Sequence, residues 1–205
     1  ETRSLVEGAG GEAAVIEADV RDPQACADAV AAAVDRGGSL DVLANIAGVV
    51  RFGHADDLSV DDWRLVNDVN LSGPWFLIQA ALPHLRESEG NVVNLASAAG
   101  LTGQAYTAAY CASKAGLVML TKALAVEFAD AGVRFNAVCP GQVNTPLNTF
   151  DMPEDLEGKL LMKLLPLLPA AEPEEIAGLI AYLASAEARY ITGAAISIDG
   201  GQTAG

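Results

Sequence analysis

The sequence predicts an α/β fold: a doubly wound parallel sheet with helices on both faces, three layers in a single domain over residues 1–205. Two observations carry this. Short apolar runs alternate along the chain with helical patterns of roughly ten residues or more, the mark of βαβ units. The chain also has enough apolar material for a buried core, with 51% of its 205 residues hydrophobic and 19% charged. No internal repeat, low-complexity tract or linker divides it.

Taken in order, Gly8 to Gly11 reads as a helix end with a turn, and Ala13 to Ala18 (AAVIEA) as the first strand. A helix follows over Pro23 to Val34, with Asp22 as N-cap and Pro23 in its first turn. Leu40 to Asn45 (LDVLAN) is the second strand. Ser59 is a candidate N-cap for the short helix VDDWRLV, and a longer helix runs from Pro74 to Glu87. Asn91 to Leu95 (NVVNL) is the third strand. Thr107 to Ala131 reads as a long helix closed by Gly132. Val133 to Val138 is the fourth strand, residues 146–170 are irregular and rich in Leu and Pro, Glu174 to Leu183 is a helix, and Ala195 to Ile198 is the last short strand. Trp63 and Trp75 are read as core residues.

Composition excludes several functions. Twelve basic against 27 acidic residues leave a net charge of −15, which argues against nucleic acid or an anionic membrane surface as partner, because both need a basic footprint. Cys26, Cys111 and Cys139 are odd in number, far apart and in apolar surroundings. They read as free thiols rather than a disulfide framework or metal site. No uninterrupted apolar run approaches the ~18 residues of a membrane span. The first residues have no signal-peptide core, so the expected location is the cytoplasm.

Ligands bind such sheets at the carboxyl ends of the strands. Attention therefore falls on Asp19, Asn45 to Gly48, Ser97 and Pro140 to Thr145. The strongest feature is Tyr110 and Lys114 at i, i+4 spacing, on one face of the long helix. A nearby ammonium favours the phenolate, which would suit the phenol to acid/base work. The plain alternative is two unrelated residues one turn apart. Ser97, at the end of an apolar strand, is placed to donate to a substrate oxygen, or is a turn serine. Asn70, amid Val69 and Leu71, needs a partner. It either satisfies backbone groups at a helix break or orders water near the lysine.

Together these pieces resemble the short-chain dehydrogenase/reductases. The matching elements are Asp19-Val20, Asn45-Ile46-Ala47-Gly48, Val69-Asn70-Leu71, Ser97, Tyr110-xxx-Lys114, Pro140-Gly141-x-Val143-x-Thr145 and Asp199-Gly200-Gly201, with Ser97 thirteen residues before Tyr110. The resemblance implies a Rossmann-like fold and hydride transfer between NAD or NADP and a carbonyl or secondary alcohol. It implies Tyr110 as acid/base and Lys114 as the residue that lowers its pKa and holds the nicotinamide ribose. Ser97 would polarise the substrate oxygen and Asn70 would hold a relay water. Asp19 and Val20 match adenine contacts, and Asn45, Ala47 and Gly48 the strand end on the adenosine side. Pro140, Gly141, Val143 and Thr145 match the turn that holds the carboxamide. The family is commonly oligomeric, so a homo-oligomer, tetramer or dimer, is expected. No metal is implied.

Two departures stand out. The family's NNAG is here NIAG, with Ile46 in place of an amide. The family also opens with a strand, a TGxxxGxG turn, a helix and a second strand ahead of the position of Asp19. No such segment precedes Asp19, so the chain is read as N-terminally shortened, its sheet lacking the family's first two strands. The strand at 13–18 would then have no neighbour. Residues 146–170 fall at the family's substrate lid. Leu147, Phe150, Met152, Leu156, Leu160, Leu161, Met162, Leu164 and Leu165 make it apolar, which suits either an apolar or bulky substrate or packing on the core or a neighbouring subunit. Gln104 and Tyr106 are candidate pocket residues, while His54 and His84 read as ordinary surface or helix positions. Two functions remain open from sequence: an NAD(P)-dependent oxidoreductase, or a non-catalytic binding or scaffold relative.

Overall fold

The computed structural model describes residues 2–148, 156–161 and 164–204. Four parallel strands form one sheet in chain order: β1 (Val42–Asn45), β2 (Asn91–Leu95), β3 (Arg134–Pro140) and β4 (Ala195–Ile198). Val93 lies opposite Ala44 on one side and Asn136 on the other, and Val138 opposite Ile196. Each parallel step needs a crossover, and the helices supply it. The helices are α1 (Thr2–Gly8) and α2 (Pro23–Gly37), both ahead of β1, then α3 (Val60–Asn67), α4 (Gly73–Glu87), α5 (Ala108–Glu127), α6 (Gly158–Leu161) and α7 (Pro173–Ala184) between the strands.

The two-residue period of a strand sorts its side chains into two cores. Val92 and Phe135 face one way and join Ile78, Ala81 and Leu85 of α4 with Leu124 and Ala125 of α5. Val93 and Val138 face the other way and pack on Ile176 and Leu183 of α7. Three layers result, as the alternation predicts. By length and composition α5 is apolar enough to cross a bilayer. Here Leu117, Val118 and Leu124 are buried inside the protein.

The caps act as read. Asp22 accepts from Gln24 N at 2.9 Å and Ser59 from Asp62 N at 3.0 Å. Gly38 takes φ 78°, the left-handed geometry that closes α2. The long helix ends earlier than predicted. Its α-helical part stops at Glu127, and Gly132, at φ 73°, closes a separate short turn over Ala129–Ala131. Residues Asp68–Ser72 form one π-helical turn that fuses α3 and α4 into a continuous run.

The predicted strand over 13–18 does not form. That stretch has no strand pairing, and Val15 and Ile16 are 71% and 44% exposed. A strand exists only by sharing its backbone hydrogen bonds with a neighbour, and the edge strand β1 pairs among the described residues with β2 alone. Trp63 is also not core. It is 43% exposed, while Trp75 packs against the α4 side of the sheet.

Candidate active site

The carboxyl ends of β1, β2 and β3 open on one edge of the sheet. Ser97 stands two residues beyond β2 and caps a short turn by accepting from Ala99 N at 3.1 Å. Tyr110 lies in the first turn of α5, and it shares the walls of two cavities with Ser97, whose hydroxyl favours the phenolate. Burial pushes the Tyr110 phenol above its ordinary value, and the Ser97 hydroxyl only partly opposes this. Lys114, one turn on, is 3% exposed. Its Nζ donates to Leu95 O at 2.7 Å and sits 5.7 Å from the Tyr110 ring centroid.

The electrostatics therefore depart from the reading that Lys114 lowers the Tyr110 pKa. Burial brings the Lys114 ammonium itself down from 10.5 to about 8. In this arrangement desolvation outweighs attraction, and the phenol is held protonated. Behind them Cys139 is wholly buried, and burial pushes its thiol up to about 11.

Asn70 sits in the π turn, fully buried. Its Oδ1 accepts from Val49 N at 2.8 Å, and its Nδ2 donates to Val49 O at 2.9 Å and Ser113 Oγ at 3.1 Å. It satisfies both backbone groups of Val49, in the loop after β1, rather than backbone groups at its own helix break. A Cβ on Gly48 would lie 3.4 Å from Asn70 Oδ1 and 3.6 Å from Lys114 Nζ, so the three residues converge.

Sequence reasoning missed a buried polar relay. Asn45 Nδ2 donates to Asn94 Oδ1 at 2.8 Å, Asn94 Nδ2 to Thr121 Oγ1 at 2.9 Å, and Thr121 Oγ1 to Leu117 O at 2.8 Å. The signal was an asparagine inside the apolar strand NVVNL, which a buried position demands be paired. Asn45 Oδ1, also buried, has no partner among the described residues.

Two cavities meet at Ser97 and Tyr110. One, of about 440 Å³, is lined by Gly48, Lys114, Pro140, Gly141, Val143 and Thr145. The other, of about 230 Å³, is lined by Gln104 and the leucines Leu147, Leu161, Leu164 and Leu165. A third, of about 150 Å³, holds Val20, Asn45 and Ala47. The described leucines of the 146–170 segment thus divide. Those four line the cavity of about 230 Å³, whereas Leu167 is 81% exposed; Phe150, Met152 and Met162 lie outside the described residues.

Two candidates are not in this constellation. Asp19 is exposed, and its ion pair with Arg21 at 2.6 Å brings its carboxyl down to about 2. Tyr106 lines a separate hollow beside His54, and its hydroxyl accepts from Glu157 N at 2.9 Å. The Asp199-Gly200-Gly201 motif is structural: Asp199 accepts from Gly201 N, Thr203 N and Thr203 Oγ1. Among the described residues no three His, Cys, Asp or Glu side chains converge as a metal site. The arrangement can exchange a proton with an oxygen placed where the two cavities join.

Known proteins share this organisation. A family model described as enoyl-(acyl carrier protein) reductase matches residues 1–203. A 3beta-hydroxysteroid dehydrogenase of Eggerthella lenta is 39% identical over 206 residues, covering 99% of this chain and 78% of that protein. A meso-2,3-butanediol dehydrogenase of Serratia marcescens is 41% identical over 194 residues, covering 95% of this chain and 76% of that protein. The crystal structure of a short chain dehydrogenase from Mycobacterium paratuberculosis bound to NAD superposes with a TM-score of 0.93 at 35% identity, covering 98% of this chain and 78% of that one.

Proposed function

The chain belongs to the short-chain dehydrogenase/reductase family and is an oxidoreductase, and from that premise we propose that it interconverts a secondary alcohol and its ketone with a nicotinamide cofactor, Tyr110 serving as acid/base. One observation carries the reading. Tyr110 and Ser97 both line the junction where a glycine- and lysine-lined cavity meets a leucine-lined one.

The residues present suit the cofactor. Lys114 has N–H donors beyond the one given to Leu95 O, inside a cavity walled by the 140–145 turn. The orphaned Asn45 Oδ1 offers an acceptor beside the small hollow of Val20 and Ala47. When bound, the nicotinamide supplies or accepts the hydride. NAD is favoured because a similar structure holds it, and NADP is the other outcome of a direct comparison.

Tyr110 donates its proton to the carbonyl oxygen in reduction and takes the alcohol proton in oxidation. Ser97 donates a hydrogen bond to the same oxygen, concentrating its charge where the proton arrives. Lys114 holds hydroxyl groups through its free donors. Asn70 is a positioning residue: by clamping Val49 it fixes the loop next to Gly48, which lines the cavity. The raised phenol serves carbonyl reduction near neutral pH, since the acid form is already in place.

Tyr110→Phe tests this. Turnover should fall by roughly a hundredfold or more, with circular dichroism and melting unchanged; retained turnover sinks the assignment. Titrations of NADH and NADPH, followed by nicotinamide fluorescence, identify the cofactor. We also propose a homo-oligomer joined through α5, whose Met119 and Val126 are 62% and 81% exposed. Light scattering that gives a monomer mass would refute it.

A further inference from the structure

The leucine-lined cavity contains a polar group that the acid/base chemistry does not use. Gln104 lines it, half-buried. The residue is held in place through its backbone: its carbonyl accepts from Thr107 Oγ1 at 3.2 Å and from Cys111 Sγ at 3.7 Å, which ties it to the turn of α5 that carries Tyr110. Its side-chain amide has no hydrogen-bond partner among the described residues. The other glutamines on the wall differ. Gln202 donates to Leu164 O at 2.6 Å, and Gln142 is exposed.

Charge narrows what the amide can meet. Among the described residues, no acidic or basic side chain lines this cavity, and Lys114 belongs to the neighbouring one. A carboxylate or phosphate entering there would shed its hydration with no cation on the described wall to replace it, in a protein of net charge −15. A neutral hydroxyl or carbonyl is matched by the amide's donors and acceptor. An apolar skeleton suits Val50, Phe52 and the leucines.

We infer that Gln104 selects the substrate. It takes uncharged compounds with a second hydroxyl or carbonyl away from the reacting carbon, and disfavours both purely apolar and anionic ones. The inference rests on the acid/base reading above, and the test separates the two. The probes are cyclohexane-1,2-diol, cyclohexanol and 2-hydroxycyclohexanecarboxylate, given to wild type, Gln104→Met and Tyr110→Phe with the nicotinamide cofactor that binds.

A binding site that leaves a polar group unpaired rejects the analogue lacking the matching group. In wild type, kcat/KM for the diol should exceed that for cyclohexanol by roughly ten- to a hundredfold, with the carboxylate last. In Gln104→Met the diol-to-cyclohexanol ratio should collapse toward one. Equal use of diol and cyclohexanol by wild type, an unchanged ratio in Gln104→Met, or a preference for the carboxylate overturns the inference. If Tyr110→Phe abolishes turnover while the ratio ignores Gln104, only the role of Gln104 falls. If Tyr110→Phe stays active, the acid/base reading falls. If wild type turns over none of the three, dissociation constants from ligand-observed NMR are read in the same way. Absence of binding by either alcohol then overturns the inference.

Discussion

Removing the charge of Lys114 should make the free protein more stable. The side chain is 3% exposed and has one hydrogen bond, to Leu95 O at 2.7 Å. Burial brings its ammonium from 10.5 to about 8. That interval corresponds to about 3 kcal/mol working against the folded state when the lysine is charged. The sign follows from proton counting. Between pH 8 and 10.5 the unfolded chain binds more protons at this site than the folded one, so wild-type stability should rise across that window. Below pH 8 both states are protonated and the penalty is complete. Met is close to Lys in length and apolar, so Lys114→Met removes the charge and fills the space. It leaves Leu95 O unpaired, which takes back about 1 kcal/mol. The net gain at pH 7 is about 2 kcal/mol, a melting rise of a few degrees for a chain of this size. Urea unfolding of both proteins at pH 7 and pH 9.5 measures it, and the difference should shrink at the higher pH. A variant less stable than wild type at pH 7, or a gap that ignores pH, would refute the reasoning. Nicotinamide binding should be lost in the same variant.

Two glycines near the site should respond in opposite ways. A Cβ at Gly48 meets only ordinary contacts at 3.4 and 3.6 Å, so Gly48→Ala should melt like wild type and bind nicotinamide cofactor at least tenfold more weakly. At Gly141 the added carbon would come within 2.7 Å of Asp199 O, so Gly141→Ala should lose about 1–3 kcal/mol of stability, read by urea unfolding. The pH profile should follow the phenol. Because burial raises Tyr110, kcat/KM for alcohol oxidation should climb with pH through the alkaline range while that for ketone reduction declines. Profiles with the opposite slopes would remove Tyr110 from the proton transfer.

Much of this was legible in the chain. Asp22 and Ser59 mark helix starts because caps are local chemistry, settled within three or four residues. NVVNL reads as a strand because a parallel strand is buried on both faces. The run AAVIEA is also short and apolar, and fails as a strand. Pairing is decided by what lies alongside, and periodicity carries no record of the neighbour. The gathering of Asn70, Ser97, Tyr110 and Lys114 came from ordered motifs. Their electrostatics did not, since i, i+4 spacing gives proximity and says nothing of burial. Tyr106 failed for a related reason. Its φ is 65° and its hydroxyl accepts from Glu157 N, a backbone choice and a distant partner that its identity does not announce.

The close approach of Ser97 to Tyr110 is itself a packing consequence. Ser97 belongs to the end of β2 and Tyr110 to α5, so no local rule sets their distance. What sets it is the stretch Ser97-Ala98-Ala99-Gly100, whose two alanines are 1% and 2% exposed. A Cβ at Gly100 would stand 2.8 Å from both the carbonyl carbon and oxygen of Lys114. The turn therefore rests directly on the backbone of the helix, with no side chain to hold it off. Small residues here shorten the gap between strand end and helix until a serine hydroxyl reaches a phenol one turn before the lysine. The relay from Asn45 through Asn94 to Thr121 ties β1, β2 and α5 together on the same side. Hydrogen bonds that span three elements resist the shear that would separate the two hydroxyls. The reacting pair is thus held by the sheet and α5, while the leucines that close over it come from a segment that follows β3. Such a division lets the substrate wall vary while the proton-transfer geometry stays in place.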